Sequence, residues 1–244
     1  MISFLTDLSR NLIFYLFYAT LTLTVFRLVI KIILSLTYNL AKKKENGETY
    51  PRFSIIVPAY NEEKTIGACL QSLINLDYPD YEVIVIDDGS TDATLREAKR
   101  FASLGVKVLH QENKGKAEAL NRGIRASTGD LILTVDADTR LDREALKRLR
   151  RRFMNPKIGA VAGNIKVSVT YGILNIIQAA EYTTTINLTR KAESMFGCVM
   201  IVPGPIAAFR RDAIVRAGLF SSDTFAEDFD VTMKVLKRGY RVGC

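Results

Sequence analysis

The sequence predicts an α/β protein with a doubly wound, mostly parallel sheet, preceded by an N-terminal transmembrane helix. Two observations predict the sheet: from residue 53 onward short apolar runs alternate with helical patterns, and polar residues follow the carboxyl ends of the runs. Strands that alternate with helices usually form parallel βαβ units. A third observation, a long uncharged stretch near the N-terminus, predicts the membrane helix.

The N-terminal stretch carries no charge from Asn11 to Phe26, and its apolar character resumes beyond Arg27. A helix over residues of about 11–40 is long enough to cross a bilayer, which takes roughly 20 residues. Arg27 and Lys31 share one helical face, so they lie near one interface and snorkel, or the helix lies flat on the membrane. We therefore interpret residues 1–44 as a membrane anchor rather than a cleaved signal peptide.

The lysines at 42–44 follow this helix directly. By the positive-inside rule they predict a protein of the cell membrane in which the remainder of the chain lies on the cytoplasmic side. The three cysteines, widely spaced and without a C-x-x-C pair, agree with a reducing compartment. Residues 45–52 are polar, contain helix breakers and are predicted to be a linker.

Strand and helix patterns alternate along the remainder of the chain from residue 53, up to a basic helix at 143–153. One face of that helix carries six Arg and Lys side chains, which indicates either a solvated face or contact with anionic lipid. The predicted strands are 53–57, 81–86, 106–109 and 131–135, and the predicted helices are 66–74, 94–104, 117–125 and 143–153.

Composition and charge limit the kinds of partner and of catalytic chemistry that are expected of this chain. The 244 residues carry a formal charge of +8, which suggests an anionic partner such as nucleotide phosphate or acidic lipid. No nucleic-acid partner is expected, because no motif interleaves aromatic and basic residues. The single histidine, His110, closes a strand and makes a zinc site or a Ser-His-Asp triad improbable. Acid–base chemistry is therefore expected from carboxylates.

The strand at 131–135 ends in Asp136 and Asp138. Open α/β sheets bind ligands at the carboxyl ends of their strands, and oxygen-rich sites hold Mg or Mn and, through the metal, phosphate. By itself an Asp-x-Asp pair also fits an ordinary turn. The pair is a candidate metal site for a nucleotide.

The first two strands also end in polar residues. Pro58 is predicted to end the first strand and Asn61 to cap the next helix. The absence of a G-x-G-x-x-G pattern there disfavours a dinucleotide dehydrogenase. After the second strand, Asp87 and Asp88 suit recognition of a uracil N–H and ribose hydroxyls.

Two further motifs begin helices. Lys114 and Lys116 flank a glycine at a predicted helix start, where basic residues can meet phosphate, although a solvated turn looks similar. Glu227 and Asp228 begin the last helical pattern. Acids in a first helical turn often serve as dipole partners, but this pair is also the best remaining candidate for a general base.

Six segments in a fixed order resemble family 2 glycosyltransferases. They are VPAYNE, VIDDGSTD, ENKGKAEALNRG, VDAD, PGPIAAFRRDAI and AEDFDVTMKVLKRGY. The chain is most similar to the membrane-embedded polysaccharide synthase branch, which includes cellulose, hyaluronan, chitin-oligosaccharide and poly-N-acetylglucosamine synthases. The resemblance covers roughly residues 53–244 and implies a GT-A type fold there, with a domain that is incomplete at its C-terminus.

The resemblance implies a role for each matching residue. The cofactor would be Mg or Mn on the metal pair, and the partners would be a nucleotide-sugar donor such as a UDP-sugar, a glycan or lipid-linked acceptor, and membrane lipid. The nucleotide-sugar site would comprise Pro58, Ala59, Tyr60, Glu62, Asp87, Asp88, Lys114, Lys116 and Asp136. The metal pair would be Asp136 and Asp138, and the acceptor side would be Gly204, Pro205 and Arg210. The catalytic carboxylates would be Asp228 as the base and Glu227 beside it.

The chain departs from this branch in lacking the Gln-x-x-Arg-Trp motif and the later membrane helices, which predicts a truncated synthase. The expected activity is inverting transfer of a sugar from a nucleotide diphosphate sugar to a growing glycan hydroxyl. Two alternatives stay open: non-processive transfer to a polyprenyl-phosphate lipid, and a non-catalytic membrane protein that binds a nucleotide sugar.

Overall fold

The computed structural model describes residues 2–40, 49–166, 172–182, 187–224 and 226–244. The helices are α1 (Ile2–Leu40), α2 (Ile66–Ile74), α3 (Thr94–Lys99), α4 (Lys116–Ala126), α5 (Ala145–Phe153), α6 (Ile173–Glu181), α7 (Asn187–Phe196), α8 (Arg211–Ala217) and α9 (Glu227–Lys237). The strands are β1 (Phe53–Ala59), β2 (Tyr81–Asp88), β3 (Val106–Gln111), β4 (Leu131–Val135), β5 (Ile158–Ala162), β6 (Ile206–Arg210) and β7 (Arg241–Gly243).

These strands form a single sheet in the order β3-β2-β1-β4-β6-β5-β7. The pairs β1–β2, β2–β3, β1–β4 and β5–β7 are parallel, while β6 runs antiparallel to both β4 and β5. The predicted mostly parallel sheet is confirmed. From β1 the chain first builds outward through β2 and β3 and then returns to place β4 on the other side. This reversal creates a crevice at the carboxyl ends of β1 and β4.

Both faces of the sheet are covered, which explains why the strands are continuous apolar runs rather than alternating ones. On one face, α2 and α5 contribute Leu70 and Leu146 to a cluster with β1 and β4. On the other face, α4, α8 and α9 contribute Leu120, Ile214 and Val231. The helices thereby fix the strand ends that carry the polar residues.

The long helix α1 contains an apolar segment, Asn11–Tyr38, that is long enough to span a membrane, and only 6% of its most apolar window is buried in the protein. Its C-terminal half packs on α7, where the Lys31 ammonium donates to Thr189 Oγ1 at 3.0 Å. The Tyr38 hydroxyl donates to the Cys244 carbonyl at 2.5 Å. The apolar helix is therefore attached to the α/β part of the chain at one end.

The basic helix α5 begins at Ala145, slightly later than predicted, and three of its basic side chains contact other parts of the protein. Arg150 is buried, donates to the Thr49 carbonyl and stacks on the Tyr50 ring. Lys147 pairs with Asp77 at 2.6 Å. Arg152 lies 4.9 Å from the centre of the Tyr38 ring. Several cations of this helix thus hold neighbouring segments, while Arg148 and Arg151 remain exposed, so contact with anionic lipid stays a prediction.

Three predicted boundaries were wrong. Pro58 does not end β1, which continues to Ala59. The proline is tolerated because the pairing of β1 with β4 stops at Ile56, so Pro58 lies opposite β2 alone. Asn61 does not cap α2, which begins at Ile66; it adopts φ 55° and its Oδ1 accepts the Thr91 N–H at 2.9 Å. The helix predicted over 94–104 ends at Lys99 and is followed by a short 3₁₀ turn. The first half of the predicted linker, residues 45–48, lies outside the described residues.

Candidate active site

A cavity of about 380 Å³ opens at the carboxyl ends of β1, β2 and β4, at the crevice that the strand order creates. Four separate segments of the sequence meet there, as expected from the polar residues that follow the strands. Its lining residues are Pro58, Ala59, Tyr60, Glu62, Asp88, Asn113, Gly115, Lys116, Ala119, Asp136, Ala137 and Asp138.

Asp88 organises the loop between β3 and α4. Its Oδ1 accepts the Lys114 N–H at 2.9 Å and the side-chain amide of Gln111 at 2.7 Å, and its Oδ2 accepts the Gly115 N–H at 2.8 Å. Gly115 can take part because its φ of 86° suits glycine. Lys114 thus reaches the site through its backbone, while its exposed side chain is absent from the cavity lining.

Asp87 points away from the cavity, although the same role was expected for it as for Asp88. Neighbouring residues of a strand face opposite sides of a sheet. The fully buried Asp87 carboxylate places Oδ2 2.6 Å from His110 Nδ1, and its Oδ1 has no hydrogen-bond partner within the described part of the chain. The structure does not bring Asp87 to the site, and His110 occupies the structural position expected at a strand end.

The turn after β1 is tied to the turn after β2. The Glu62 N–H donates to Thr94 Oγ1 at 2.6 Å, and Thr65 Oγ1 donates to the Glu62 carboxylate at 2.6 Å. These bonds hold Glu62 at the cavity wall. Tyr60, which is 48% exposed, stands at the cavity mouth with its ring open to a ligand.

The two carboxylates expected to hold a metal both line the cavity. Asp136 Oδ1 lies 2.7 Å from the Lys116 ammonium, whereas Asp138 is exposed and accepts a long bond from Thr139. Across the residues that the structure describes, no cluster of three or more His, Cys, Asp or Glu side chains is arranged to hold a metal ion. Mg usually takes one or two carboxylates and completes its shell with water and substrate phosphate, so this pair fits a phosphate-bound ion.

Gly204 is the point at which three functional groups converge. Its N–H donates to Asp228 Oδ2 at 2.7 Å. A Cβ at this position would lie 2.9 Å from the Lys116 ammonium, 3.0 Å from Asp228 Oδ2 and 3.6 Å from Asp136 Oδ2. The candidate base is therefore next to the candidate metal pair, with Lys116 between the two.

The electrostatics of this cluster suit proton transfer. Burial raises the pKa of the Asp228 carboxyl, and the negative charges of Glu227 and Asp136 add to the rise, against the opposing effects of Lys116 and the Gly204 N–H. Burial acts to lower the pKa of Lys116, but attraction to Asp136, Asp228 and Glu227 outweighs it and raises that pKa. Lys116 stays protonated, while Asp228 is a stronger base than an ordinary aspartate.

Arg210 is not near this cluster, contrary to the acceptor role expected for it. In the antiparallel pair, Ile206 at the start of β6 lies opposite Val135, whereas Arg210 lies opposite Leu131 at the other end of β4. The Arg210 guanidinium donates to the carbonyls of Phe153 at 2.8 Å and Ile158 at 3.2 Å. Gly204 approaches the site and brings its neighbour Pro205 close to it, but Arg210 lies at the opposite end of β6.

The cavity is also lined by Asn113, Ala119 and Ala137, for which the sequence predicted no role. Asn113 stands in a recognised motif, and its backbone packs 2.7 Å from the Cβ position of Gly89, which has φ 73°. Ala137, just after β4, and Ala119, in the first turn of α4, are small side chains that leave room for a ligand. The sequence signal that could have indicated the two alanines is the occurrence of small residues within helical or turn patterns.

The sheet order and the cavity at its reversal point define an α/β protein of the GT-A type. The profile of Glycosyl transferase family 2 matches residues 54–217, and the chain belongs to this family. The assignment confirms the resemblance that the sequence motifs indicated.

Two kinds of relatives agree with this assignment. The poly-beta-1,6-N-acetyl-D-glucosamine synthase of Staphylococcus aureus (strain COL) is 34% identical over 213 residues, which cover 84% of this chain and 51% of that protein. The chain thus spans about half the length of this relative.

Among solved structures, the mannosyltransferase PcManGT from Pyrobaculum calidifontis, in complex with GDP-Man and Mn²⁺, has a TM-score of 0.73 and 29% identity, covering 91% of this chain and 64% of that one. S. aureus TarS 1-349 in complex with UDP has a TM-score of 0.61 and 25% identity, covering 78% of this chain and 56% of that one. Both likenesses support the predicted GT-A type fold.

Proposed function

We propose that this chain forms the donor-binding and catalytic part of a membrane-anchored, inverting glycosyltransferase. It would move a sugar from a nucleotide diphosphate sugar, most simply a UDP-sugar, to a hydroxyl of a growing glycan. One observation carries the proposal: the Asp136 carboxylate, the Lys116 ammonium and the Asp228 carboxylate converge on Gly204 at the edge of the nucleotide-sized cavity.

The donor would lie in the cavity with its base between Tyr60 and the Asp88 loop. The N-terminal turn of α4 and the Lys116 ammonium favour the diphosphate, since the loop amides of Lys114 and Gly115 already donate to Asp88. Asp136 and Asp138 would hold Mg or Mn, which when bound acts as a Lewis acid that neutralises the leaving diphosphate. The UDP complex of TarS and the Mn²⁺ complex of PcManGT support this placement by similarity.

The acceptor hydroxyl would approach Asp228 from the side of Gly204. The Gly204 N–H fixes Asp228 Oδ2, so Oδ1 is the oxygen that takes the hydroxyl proton. As the acceptor oxygen bonds to the anomeric carbon, the bond from that carbon to the diphosphate oxygen breaks and the nucleotide diphosphate leaves. A single displacement of this kind inverts the anomeric centre.

Membrane attachment forms part of the proposal. α1 would anchor the chain, with the glycosyltransferase part on the cytoplasmic side, where nucleotide sugars are made available by metabolism and where the lysines after α1 would remain. Carbonate extraction of membranes carrying the full chain tests this: the protein should stay in the pellet, and full release into the soluble fraction would refute the anchor.

Product analysis tests the activity. Purified full chain in detergent would be incubated with Mn²⁺ and UDP-N-acetylglucosamine, UDP-glucose or GDP-mannose, with Asp228→Asn as the inactive control. The proposal expects transfer from a UDP-sugar, seen by mass spectrometry as added hexose or N-acetylhexosamine units on a glycan acceptor, with the inverted anomeric configuration of the new linkage read by NMR.

Two results would redirect the assignment. A lipid-linked monosaccharide formed with a polyprenyl phosphate would favour the non-processive alternative, for which the GDP-Man complex of PcManGT gives a specific reason to include GDP-mannose. Donor binding without any product would favour a non-catalytic nucleotide-sugar-binding protein.

A further inference from the structure

Lys116 lies where it can compete with a metal ion. Its ammonium is 2.7 Å from Asp136 Oδ1, within direct ion-pair distance, and about the same distance from the Cβ position at Gly204, beside Asp228. An ammonium this close to a carboxylate occupies one of its lone-pair directions and repels a second cation. Asp136 therefore already has a cationic partner supplied by the protein.

Asp138 cannot replace Asp136 as a complete site. It is exposed, and the described residues offer no third carboxylate, histidine or cysteine to form a metal cluster with the pair. A divalent ion that binds while Lys116 stays in place would have one exposed carboxylate and water. Such a site is weak, because Mg and Mn sites gain affinity from several charged oxygen ligands.

A bound nucleotide diphosphate would change both the small number of metal ligands and the pairing of Lys116 with Asp136. Its oxygens add ligands for the metal, and they also offer the Lys116 ammonium a new anionic partner at the start of α4. The lysine stem can follow, because Lys116 is the first residue of the helix, carries a flexible four-carbon chain and has a side chain that is 37% exposed. The same ligand therefore attracts the lysine and completes the metal shell.

We infer that Lys116 holds the Asp136 carboxylate against divalent metal until a nucleotide diphosphate binds, so that metal and nucleotide bind cooperatively. Lys116 is then a positioning residue that sets the order of assembly, in addition to any direct contact with the donor. The inference rests on the proposed nucleotide and metal site.

Direct Mn²⁺ binding, measured from the free-ion signal in electron paramagnetic resonance, tests the inference without an activity assay. The samples are wild type, Lys116→Met and the control Lys99→Met, each titrated with Mn²⁺ alone and with saturating UDP. Lys99 is a suitable control because its side chain is exposed in the last turn of α3 and does not line the cavity. Thermal unfolding confirms that each variant is folded, and Lys116→Gln serves if Lys116→Met is not.

The expected result has two parts. Lys116→Met binds Mn²⁺ alone at least about tenfold more tightly than wild type. UDP raises its Mn²⁺ affinity by a smaller factor than in wild type, because the lysine that UDP would draw away from Asp136 is absent. Lys99→Met behaves as wild type, and so does the charge-conserving Lys116→Arg with Mn²⁺ alone.

The failures are distinguishable. If wild type binds Mn²⁺ with UDP but Lys116→Met binds Mn²⁺ alone no better than wild type, Lys116 is merely a donor contact and the inference is wrong. If UDP leaves Mn²⁺ binding unchanged in wild type, the proposed metal and nucleotide site is wrong as well.

Discussion

The backbone N–H of Gly204 donates to the Asp228 carboxylate at 2.7 Å, joining the turn before β6 to the first turn of α9. These two residues are 24 positions apart in the sequence, and neither lines the donor cavity itself. Their hydrogen bond fixes one oxygen of the candidate base beside Lys116 and leaves the other oxygen for the acceptor. The predictions below depend on this arrangement.

Asp228→Asn should lower kcat by about 10² to 10⁴ while UDP-sugar binding survives, because the amide cannot accept the acceptor proton. Steady-state kinetics and calorimetric titration measure the two effects separately. Asp230→Asn is the matched control in the same helix, since its carboxylate pairs with Lys234 at 2.6 Å and with Ser221. Unchanged turnover in Asp228→Asn would remove Asp228 from the base role.

The pH dependence of kcat/KM should report the environment of Asp228. A base works when deprotonated, so activity rises with pH through its pKa, and burial raises the pKa of Asp228. The acid limb of the profile should therefore lie above the usual aspartate range near 3.9. For stability the sign is opposite: a carboxyl with a raised pKa in the folded state favours folding when protonated, and this contribution is lost as pH rises through that pKa.

An acid limb at the ordinary aspartate range would contradict this electrostatic description. The matching stability measurement compares thermal unfolding of wild type and Asp228→Asn at neutral pH. The variant should unfold at an equal or higher temperature, because it avoids burying the charge.

Gly204→Ala should reduce activity strongly, because the new methyl group would lie 2.9 Å from the Lys116 ammonium and 3.0 Å from Asp228 Oδ2. Gly67→Ala is the control: it lies in α2 with nothing within 4 Å of its Cβ position, and should stabilise the fold by about 0.5 to 1 kcal/mol. Kinetics and chemical denaturation distinguish the two. Wild-type activity in Gly204→Ala would show that the convergence at this residue is unimportant.

Asp88→Ala should both destabilise the protein and weaken nucleotide binding. It leaves the Lys114 and Gly115 N–H groups without their acceptor, at a cost of about 1 to 3 kcal/mol for each group that stays buried and unpaired. Asp80→Ala removes an exposed partner of Arg52 at 3.7 Å and should cost at most about 1 kcal/mol. Equal unfolding midpoints for the two variants would argue against the loop-organising role of Asp88.

The elements that could be predicted from the sequence are those whose local residue pattern directly reflects their position in the folded protein. The runs before Asp88 and Asp136 are buried on both faces, so their apolar character alone identified β2 and β4. The first turn of α9 was predicted because its acids precede a periodic apolar stripe. The parallel arrangement then followed from the alternation of strands with helices.

The parts that were missed depend on contacts distant in sequence. The strands β5, β6 and β7 are short, and the reversal of β6 is decided by its pairing with β4 rather than by its own residues. Arg210 stands in a matching motif, but its place at the far end of β6 follows from that reversal. Asp87 and Asp88 look equivalent in sequence, and only the alternation of β2 against the cavity separates them.

Calorimetric titration of the full chain with a UDP-sugar, with and without Mn²⁺, tests the central claim most directly. We predict that UDP-N-acetylglucosamine or UDP-glucose binds in a Mn²⁺-dependent manner, and that Asp138→Asn loses the Mn²⁺-dependent part while Asp142→Asn, an exposed acid outside the cavity, does not. Absence of binding to either donor, or Mn²⁺ dependence that survives in Asp138→Asn, would contradict the assignment of this cavity as a metal-assisted nucleotide-sugar site.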